Sequence, residues 1–88
     1  MDFKLQGIID SIIAEFNRAT SKFGSFHNAH EGYAVLLEEV DELWDNVKLN
    51  QKNKDRNDLI ADEAIQVAAM AIRLIYDTCS SLEEAERE

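Results

Sequence analysis

Apolar residues recur at steps of three and four positions along three stretches of the chain, the spacing that is typical of amphipathic α-helices. The first stretch predicts a helix over residues 2–22, and the second predicts one over residues 29–49. The third stretch, LIADEAIQVAAMAIRLIYD, predicts a helix over residues 59–77. No proline interrupts any of them, so the pattern predicts an all-α fold with residues 1–88 as a single domain.

Polar segments separate the predicted helices and carry signals for where helices begin. Asn28 and Glu31 have the spacing of a capping box at the start of the second helix. The connector NQKNKDRND precedes the third helix. Near the end of the chain, Ser81 and Glu84 have the same spacing, so this tail either caps a short extra turn or frays.

The third helix differs from the other two because apolar side chains cover roughly two thirds of its circumference at about 100° per residue. A helix that is apolar over so much of its surface is buried on several sides. Two short neighbours can hardly enclose it. We therefore predict that a three-helix protomer forms a multi-helix bundle with its partner, as a homodimer or a dimer of dimers with the third helices near the centre.

Charge and composition narrow the choice of partners. The 88 residues carry a formal charge of -9, which repels a nucleic-acid backbone and argues against DNA or RNA as the main partner. An anionic small molecule would need a metal ion to accompany it. The longest apolar run falls well short of the roughly 20 residues that cross a membrane. A single cysteine, Cys79, and the lack of a signal-peptide pattern favour the cytoplasm.

The segment YAVLLEEVDELWD concentrates acidic residues on the second helix with no lysine or arginine among them. Glu39 and Glu42, spaced i and i+3, lie along the edge of the apolar stripe, and their oxygens can converge on one ion. Oxygen ligands favour magnesium, manganese or calcium over zinc. A solvated acidic surface is the alternative, and this segment alone does not separate the two.

Glu63 on the third helix falls among apolar residues. The polar side of that helix is predicted to hold Asp55, Asp58, Asp62 and Arg73. A buried carboxylate needs a partner because desolvation costs several kcal/mol. That partner is either an ion pair with Arg73 or a lysine, or a metal ion shared with Glu39 and Glu42. Gln66 lies three residues after Glu63, which is the same spacing that separates Glu39 from Glu42 on the second helix.

These residues form a pattern that resembles a known family. LLEEVDELWD followed by ADEAIQVAAMAIRLI resembles the MazG-like branch of the all-α nucleoside triphosphate pyrophosphohydrolases, whose motif is EExxE followed by ExxD. The resemblance spans roughly residues 30–77. Glu38, Glu39 and Glu42 match the first half and Glu63 matches the second, but Gln66 stands where the family has an aspartate.

The resemblance implies hydrolysis of a nucleoside triphosphate between its α and β phosphates, with Mg2+ as cofactor and Mn2+ as a possible substitute. Glu39, Glu42 and Glu63 would be direct metal ligands, and Gln66 would offer only a neutral oxygen, which weakens metal binding. The alternative is a catalytically weakened or inactive MazG-like module that forms oligomers and binds a nucleotide or a protein.

Several further residues are candidates for catalysis and substrate binding. Glu38 lies beside the expected ligands and is the candidate to orient or deprotonate the attacking water. Lys48 and Arg73 could meet the phosphates, although a surface position is the alternative for each. Trp44 could face the base, and packing in the core or at an interface is its alternative.

Overall fold

Residues 2–79 are described by the computed structural model, and they form three α-helices and no strand. Helix α1 spans Phe3–Phe23, α2 spans Ala29–Val47 and α3 spans Arg56–Thr78. The predicted all-α class and the three predicted helices are therefore confirmed. The turn predicted at Ser81 and Glu84 lies outside the described residues.

Helix α2 begins where the capping signal predicts. The side chain of Asn28 accepts a hydrogen bond of 2.9 Å from the backbone N–H of Glu31. The Glu31 carboxylate accepts a bond of 3.3 Å from the backbone N–H of His27, whereas a complete capping box would use the N–H of the cap residue itself. At the other end, Arg56 donates two hydrogen bonds to the carbonyl of Val47, so α2 ends there rather than at residue 49.

Helix α3 begins at Arg56 rather than at the predicted residue 59. Its first three residues, Arg56, Asn57 and Asp58, are polar, and polar residues leave no trace in the apolar periodicity. Asp58 lies in the first turn, where a negative charge interacts favourably with the partial positive charge of the helix N-terminus.

Both α1 and α2 pack against α3, and no Cα atom of α1 lies within 8 Å of one in α2. The small core consists of Ala19 from α1, Phe26 from the loop after α1, and Ala69 and Met70 from α3. Ile12, Val35, Leu36 and Leu74 are partly buried against it. Helix α3 is thus central within the protomer, and it is the element that sets the positions of the other two.

The predicted placement of Arg73 on the polar side of α3 is wrong, because the loop after α1 folds over this side chain. Arg73 is only 2% exposed. Its guanidinium carbon lies 4.3 Å from the centroid of the Phe26 ring, and its Nη2 donates a hydrogen bond of 2.6 Å to the carbonyl of Gly24. Gly24 has a φ of 73°, a conformation that glycine adopts without strain and that turns the chain back towards α3. Asp77 accepts a bond from the Phe26 N–H and holds the same loop.

Large apolar side chains remain exposed on all three helices. On α2 they form one stripe that is separate from the side facing α3. The exposed members are Phe3, Leu5, Ile8, Ile9, Ile13 and Phe23 on α1, Tyr33, Leu37, Val40 and Trp44 on α2, and Leu59, Ile72, Ile75 and Tyr76 on α3. Tyr33 and Trp44 are 60% and 58% exposed, so they lie outside the protomer core. Within residues 2–79, no helix combines the length and the hydropathy needed to cross a membrane.

Gly32 provides a test of how closely α2 approaches α3. A Cβ atom at this position would lie 2.5 Å from Leu74 Cδ1 and 3.0 Å from Phe26 Cδ2. Overpacking a core costs about 1–3 kcal/mol, and alanine recovers about 1 kcal/mol of helix propensity over glycine. We expect Gly32→Ala to lower the free energy of unfolding by about 1 kcal/mol in urea denaturation.

The matched control is Gly7→Ala in α1, where an added Cβ would meet no atom of residues 2–79 within 4 Å. This variant should be as stable as the original chain or more stable by up to about 1 kcal/mol. Equal effects of the two substitutions would contradict the close approach at Gly32.

Candidate metal centre

Three carboxylates from two helices converge at one side of the α2–α3 contact. Glu39 and Glu42 project from α2 and Glu63 projects from α3, and one oxygen of each lies within 4.8 Å of an oxygen of the other two. Glu39 and Glu63 are half-buried and Glu42 is exposed. We refer to Glu39, Glu42 and Glu63 as the acidic cluster.

Packing on both helices holds this cluster in place. Glu39 lies between Leu36 and Leu43, which are partly buried on the side of α2 that faces α3. Near the end of α2, the side-chain amide of Asn46 donates a hydrogen bond of 3.1 Å to the carbonyl of Leu59 on α3. The two helices are therefore linked both by apolar packing and by a polar contact close to the cluster.

The electrostatic consequence is clearest at Glu63. Burial raises the pKa of its carboxyl group to about 8, and the proximity of the Glu39 and Glu42 carboxylates adds to the rise. Its Oε2 atom is buried without a hydrogen-bond partner among the described residues. Over the same range, no lysine or arginine forms an ion pair with Glu63, so the predicted alternative of a pair with Arg73 or a lysine is not formed.

The donor set suits a divalent cation with a preference for oxygen. Magnesium is usually held by a few carboxylates and retains several waters, which leaves positions for substrate phosphates. A cavity of about 340 Å³ opens beside the acidic cluster. Its lining comprises Arg18, Glu39, Glu42, Asn46, Leu59, Asp62, Glu63 and Gln66. We refer to this space as the acidic cavity.

A second cavity, of about 430 Å³, lies between α1, the following loop, α2 and α3. It contains the aromatic rings of Phe23 and Phe26 together with Arg73, and we refer to it as the aromatic cavity. Glu38 also lines it. Three residues line both cavities, and they are Arg18, Glu39 and Gln66. The two spaces are therefore neighbours that share one wall.

The structure does not bring every predicted site residue to these cavities. Arg73 lines the aromatic cavity, whereas Lys48 and Trp44 line neither of the two. Lys48 forms an ion pair of 3.2 Å with Asp45, and its Nζ lies 5.7 Å from the centroid of the Trp44 ring. A substrate-binding role for Lys48 and Trp44 stays a prediction.

Gln66 lies close to the acidic cluster but also faces α1. It lines both cavities, and its side chain is half-buried. The pKa of Glu15 on α1 is lowered mainly by Arg18, and hydrogen bonding from Gln66 also contributes. Its role as a fourth metal ligand, which would use its neutral amide oxygen, stays a prediction.

Sequence reasoning did not identify Glu15 and Arg18 as candidates for the site. They pair through a bidentate contact in which Arg18 Nε donates to Oε1 at 2.7 Å and Nη2 donates to Oε2 at 2.5 Å. The available signal was their spacing of three residues beside the apolar stripe of the first helix. Only the packing of α1 on α3 shows that Arg18 reaches the wall shared by the two cavities.

Comparisons with models of protein families, with curated proteins and with solved structures found no match. The resemblance to MazG-like enzymes therefore rests on the residues that carry the motif. The candidate centre is defined by its geometry, in which three carboxylates, one buried oxygen and two adjoining cavities meet.

The raised pKa of Glu63 predicts how stability depends on pH without metal. Its pKa is about 8 in the folded chain against 4.5 ordinarily, so the folded state holds the proton more tightly. The resulting stabilisation is complete below about pH 4.5 and is lost as the pH rises through about 8. In EDTA, we expect the melting temperature to fall across this window, and Glu63→Gln should reduce the fall.

Two controls isolate this effect. Asp41→Asn removes a charge from the exposed outer side of α2 and should leave the pH dependence of the original chain intact. Glu31 raises the pKa of His27 above its usual value, so His27 also contributes to the pH dependence, and it is present in all variants. Identical pH profiles for Glu63→Gln and the original chain would rule out Glu63 as the source.

Proposed function

We propose that this chain is a metal-dependent nucleotide pyrophosphohydrolase of the MazG-like all-α class. It would cleave a nucleoside triphosphate between the α and β phosphates and release a nucleoside monophosphate and pyrophosphate. The observation that supports this most directly is the convergence of Glu39, Glu42 and Glu63 from two helices, with a Glu63 oxygen buried and unpartnered among the described residues. Three carboxylates this close are tolerable when one is protonated or when a cation lies between them.

The acidic cluster would hold Mg2+, or Mn2+ in its place, and Gln66 would add a neutral oxygen. The metal ion would neutralise charge on the triphosphate and lower the pKa of a bound water. The protein side chains would fix the position of the metal ion. Glu39 and Glu42 are fixed by the helical spacing on α2, while Glu63 is fixed by the packing of α3.

Glu38 is the proposed base. It is exposed and lines the aromatic cavity, next to the wall formed by Glu39. A carboxylate there can accept a proton from a water that attacks the phosphate chain, because it need not serve as a metal ligand. Arg73 lines the same cavity and would face the substrate there.

Oligomerisation is part of the proposal. The apolar side chains that remain exposed on α1, α2 and α3 form surfaces that a single protomer does not cover, and surfaces of this kind mark protein contacts. We propose a homodimer or a dimer of dimers in which these helices form a larger bundle. Burial of Ile72, Ile75 and Tyr76 would place α3 near its centre.

The test of this proposal is to incubate the chain with a panel of ribo- and deoxyribonucleoside triphosphates in Mg2+ or Mn2+ and to measure the release of pyrophosphate. We expect turnover of at least one nucleotide, and loss of turnover in EDTA. Glu39→Gln and Glu63→Gln should each lower kcat/KM by at least about a hundredfold, since even residues that only hydrogen-bond to metal ligands account for about 10–100-fold. Asp41→Asn, which removes the same charge from the outer side of α2, should act like the original chain.

Absence of turnover with every nucleotide, while Mn2+ still binds, would instead assign the chain to the non-catalytic MazG-like module. Gln66 is the residue that would account for that outcome. In that case Gln66→Asp, which restores the family's carboxylate, should strengthen Mn2+ binding. Absence of both turnover and metal binding would remove the support for either function.

Assembly is tested separately by light scattering. The chain has a mass of 10.0 kDa, and we expect a particle of at least twice that mass, because the exposed apolar side chains gain burial only in an oligomer. Dilution should shift the melting temperature of an obligate oligomer. A stable monomer with a concentration-independent melting temperature would contradict the proposed bundle.

A further inference from the structure

Arg18 occupies a position at the candidate centre that the proposed function does not yet use. It lies on α1, on the wall shared by the acidic and aromatic cavities. Among residues 2–79 it is the only lysine or arginine that lines the acidic cavity, where Glu39, Glu42, Asp62 and Glu63 supply four carboxylates. A single guanidinium among so many acids calls for a physical explanation.

Glu15 explains why Arg18 does not simply neutralise the acidic cluster. Its carboxylate accepts hydrogen bonds from Nε and Nη2 of Arg18, and its side chain is only 11% exposed. Over the described range, Arg18 forms no ion pair with Glu39 or Glu42. Glu15 thus satisfies one edge of the guanidinium and leaves the cluster free for a cation.

The other edge of the guanidinium remains available to a ligand. A guanidinium has five N–H donors in a rigid plane, and Glu15 uses two of them. Within the described part of the chain, no acceptor bonds to Nη1. Planar N–H donors of this kind match the oxygens of a phosphate group.

We propose that Arg18 binds a phosphate group of the substrate at the wall between the two cavities, and that Glu15 is the positioning residue that orients it. This inference rests on the proposed function, because it assigns the polyphosphate to the space beside the acidic cluster. A chain of phosphates held by a metal ion at Glu39 would pass this wall on its way from the acidic to the aromatic cavity. Arg18 then supplies the positive charge that the acidic cavity otherwise lacks.

Binding measurements with two probes test the role of Arg18 directly. The probes are Mn2+ alone and inorganic tripolyphosphate with Mg2+, each titrated by calorimetry into the full chain. We expect Arg18→Gln to bind Mn2+ within about twofold of the original chain and to bind tripolyphosphate at least about tenfold more weakly, the range for hydrogen bonds to charged groups. Arg18→Lys should recover part of the loss, because it keeps the charge without the planar pair of donors.

Lys22→Gln is the matched control, since it removes the same charge one turn further along α1 and Lys22 lines neither cavity. It should bind both probes like the original chain. A double-mutant cycle distinguishes a positioning role of Glu15, which acts through Arg18, from a merely structural role. Glu15→Gln should weaken tripolyphosphate binding when Arg18 is present and should have no further effect in the Arg18→Gln background.

The possible failures are distinguishable. Tripolyphosphate binding that is lost in Arg18→Gln supports the inference even if no nucleotide is hydrolysed, in which case only the proposed reaction fails. Equal tripolyphosphate binding by Arg18→Gln and the original chain overturns the inference even if nucleotides are hydrolysed. Binding of no tripolyphosphate by the original chain overturns it as well.

Discussion

The contact between α2 and α3 is the constraint on which the candidate site depends. It brings Glu63 against Glu39 and Glu42 so that oxygens of all three lie within 4.8 Å of one another. Left in water, carboxylates would avoid such an arrangement, because like charges repel and burial penalises each of them. Apolar packing around Gly32 and Leu74, together with the hydrogen bond from Asn46 to Leu59, holds the helices in place. The free energy of that packing is what offsets the electrostatic cost.

The loop after α1 makes the second contribution to the site. Phe26 is buried over α3 and lies on the guanidinium of Arg73, while hydrogen bonds from Arg73 to the Gly24 carbonyl and from the Phe26 N–H to the Asp77 carboxylate hold the loop against α3. This arrangement buries an arginine and forms one side of the aromatic cavity. A cationic and aromatic space thus adjoins an acidic one, and the two together could accommodate a molecule with an anionic part and a planar part.

The ion pair between Glu15 and Arg18 connects α1 to the site that α2 and α3 form. Their pair belongs to α1, yet Arg18 reaches the wall where the two cavities meet and Gln66 approaches Glu15 from α3. The helix that contributes no residue to the acidic cluster therefore still contributes a residue to the cavity beside it. Because Glu15 pairs with Arg18, the acidic cluster has no ion pair to a lysine or arginine among the described residues.

Much of the architecture could be predicted from the sequence, for a physical reason. The helices follow from the local periodicity of apolar residues. The side of α2 on which Glu39 lies follows from its position beside Leu36 and Leu43. Positions set by long-range packing could not be predicted in this way. The periodicity placed Arg73 on a polar side, and only the loop that folds over it shows that it is buried.

The sequence by itself determined the all-α class, the approximate limits of the helices and the glutamates that could share a cation, because each depends on spacing along one helix. The tertiary structure alone decided that one Glu63 oxygen has no hydrogen-bond partner within residues 2–79 and that Arg18 lies at the junction of two cavities. Both depend on how separate helices cross, and a crossing is set by packing between residues that are distant in the chain.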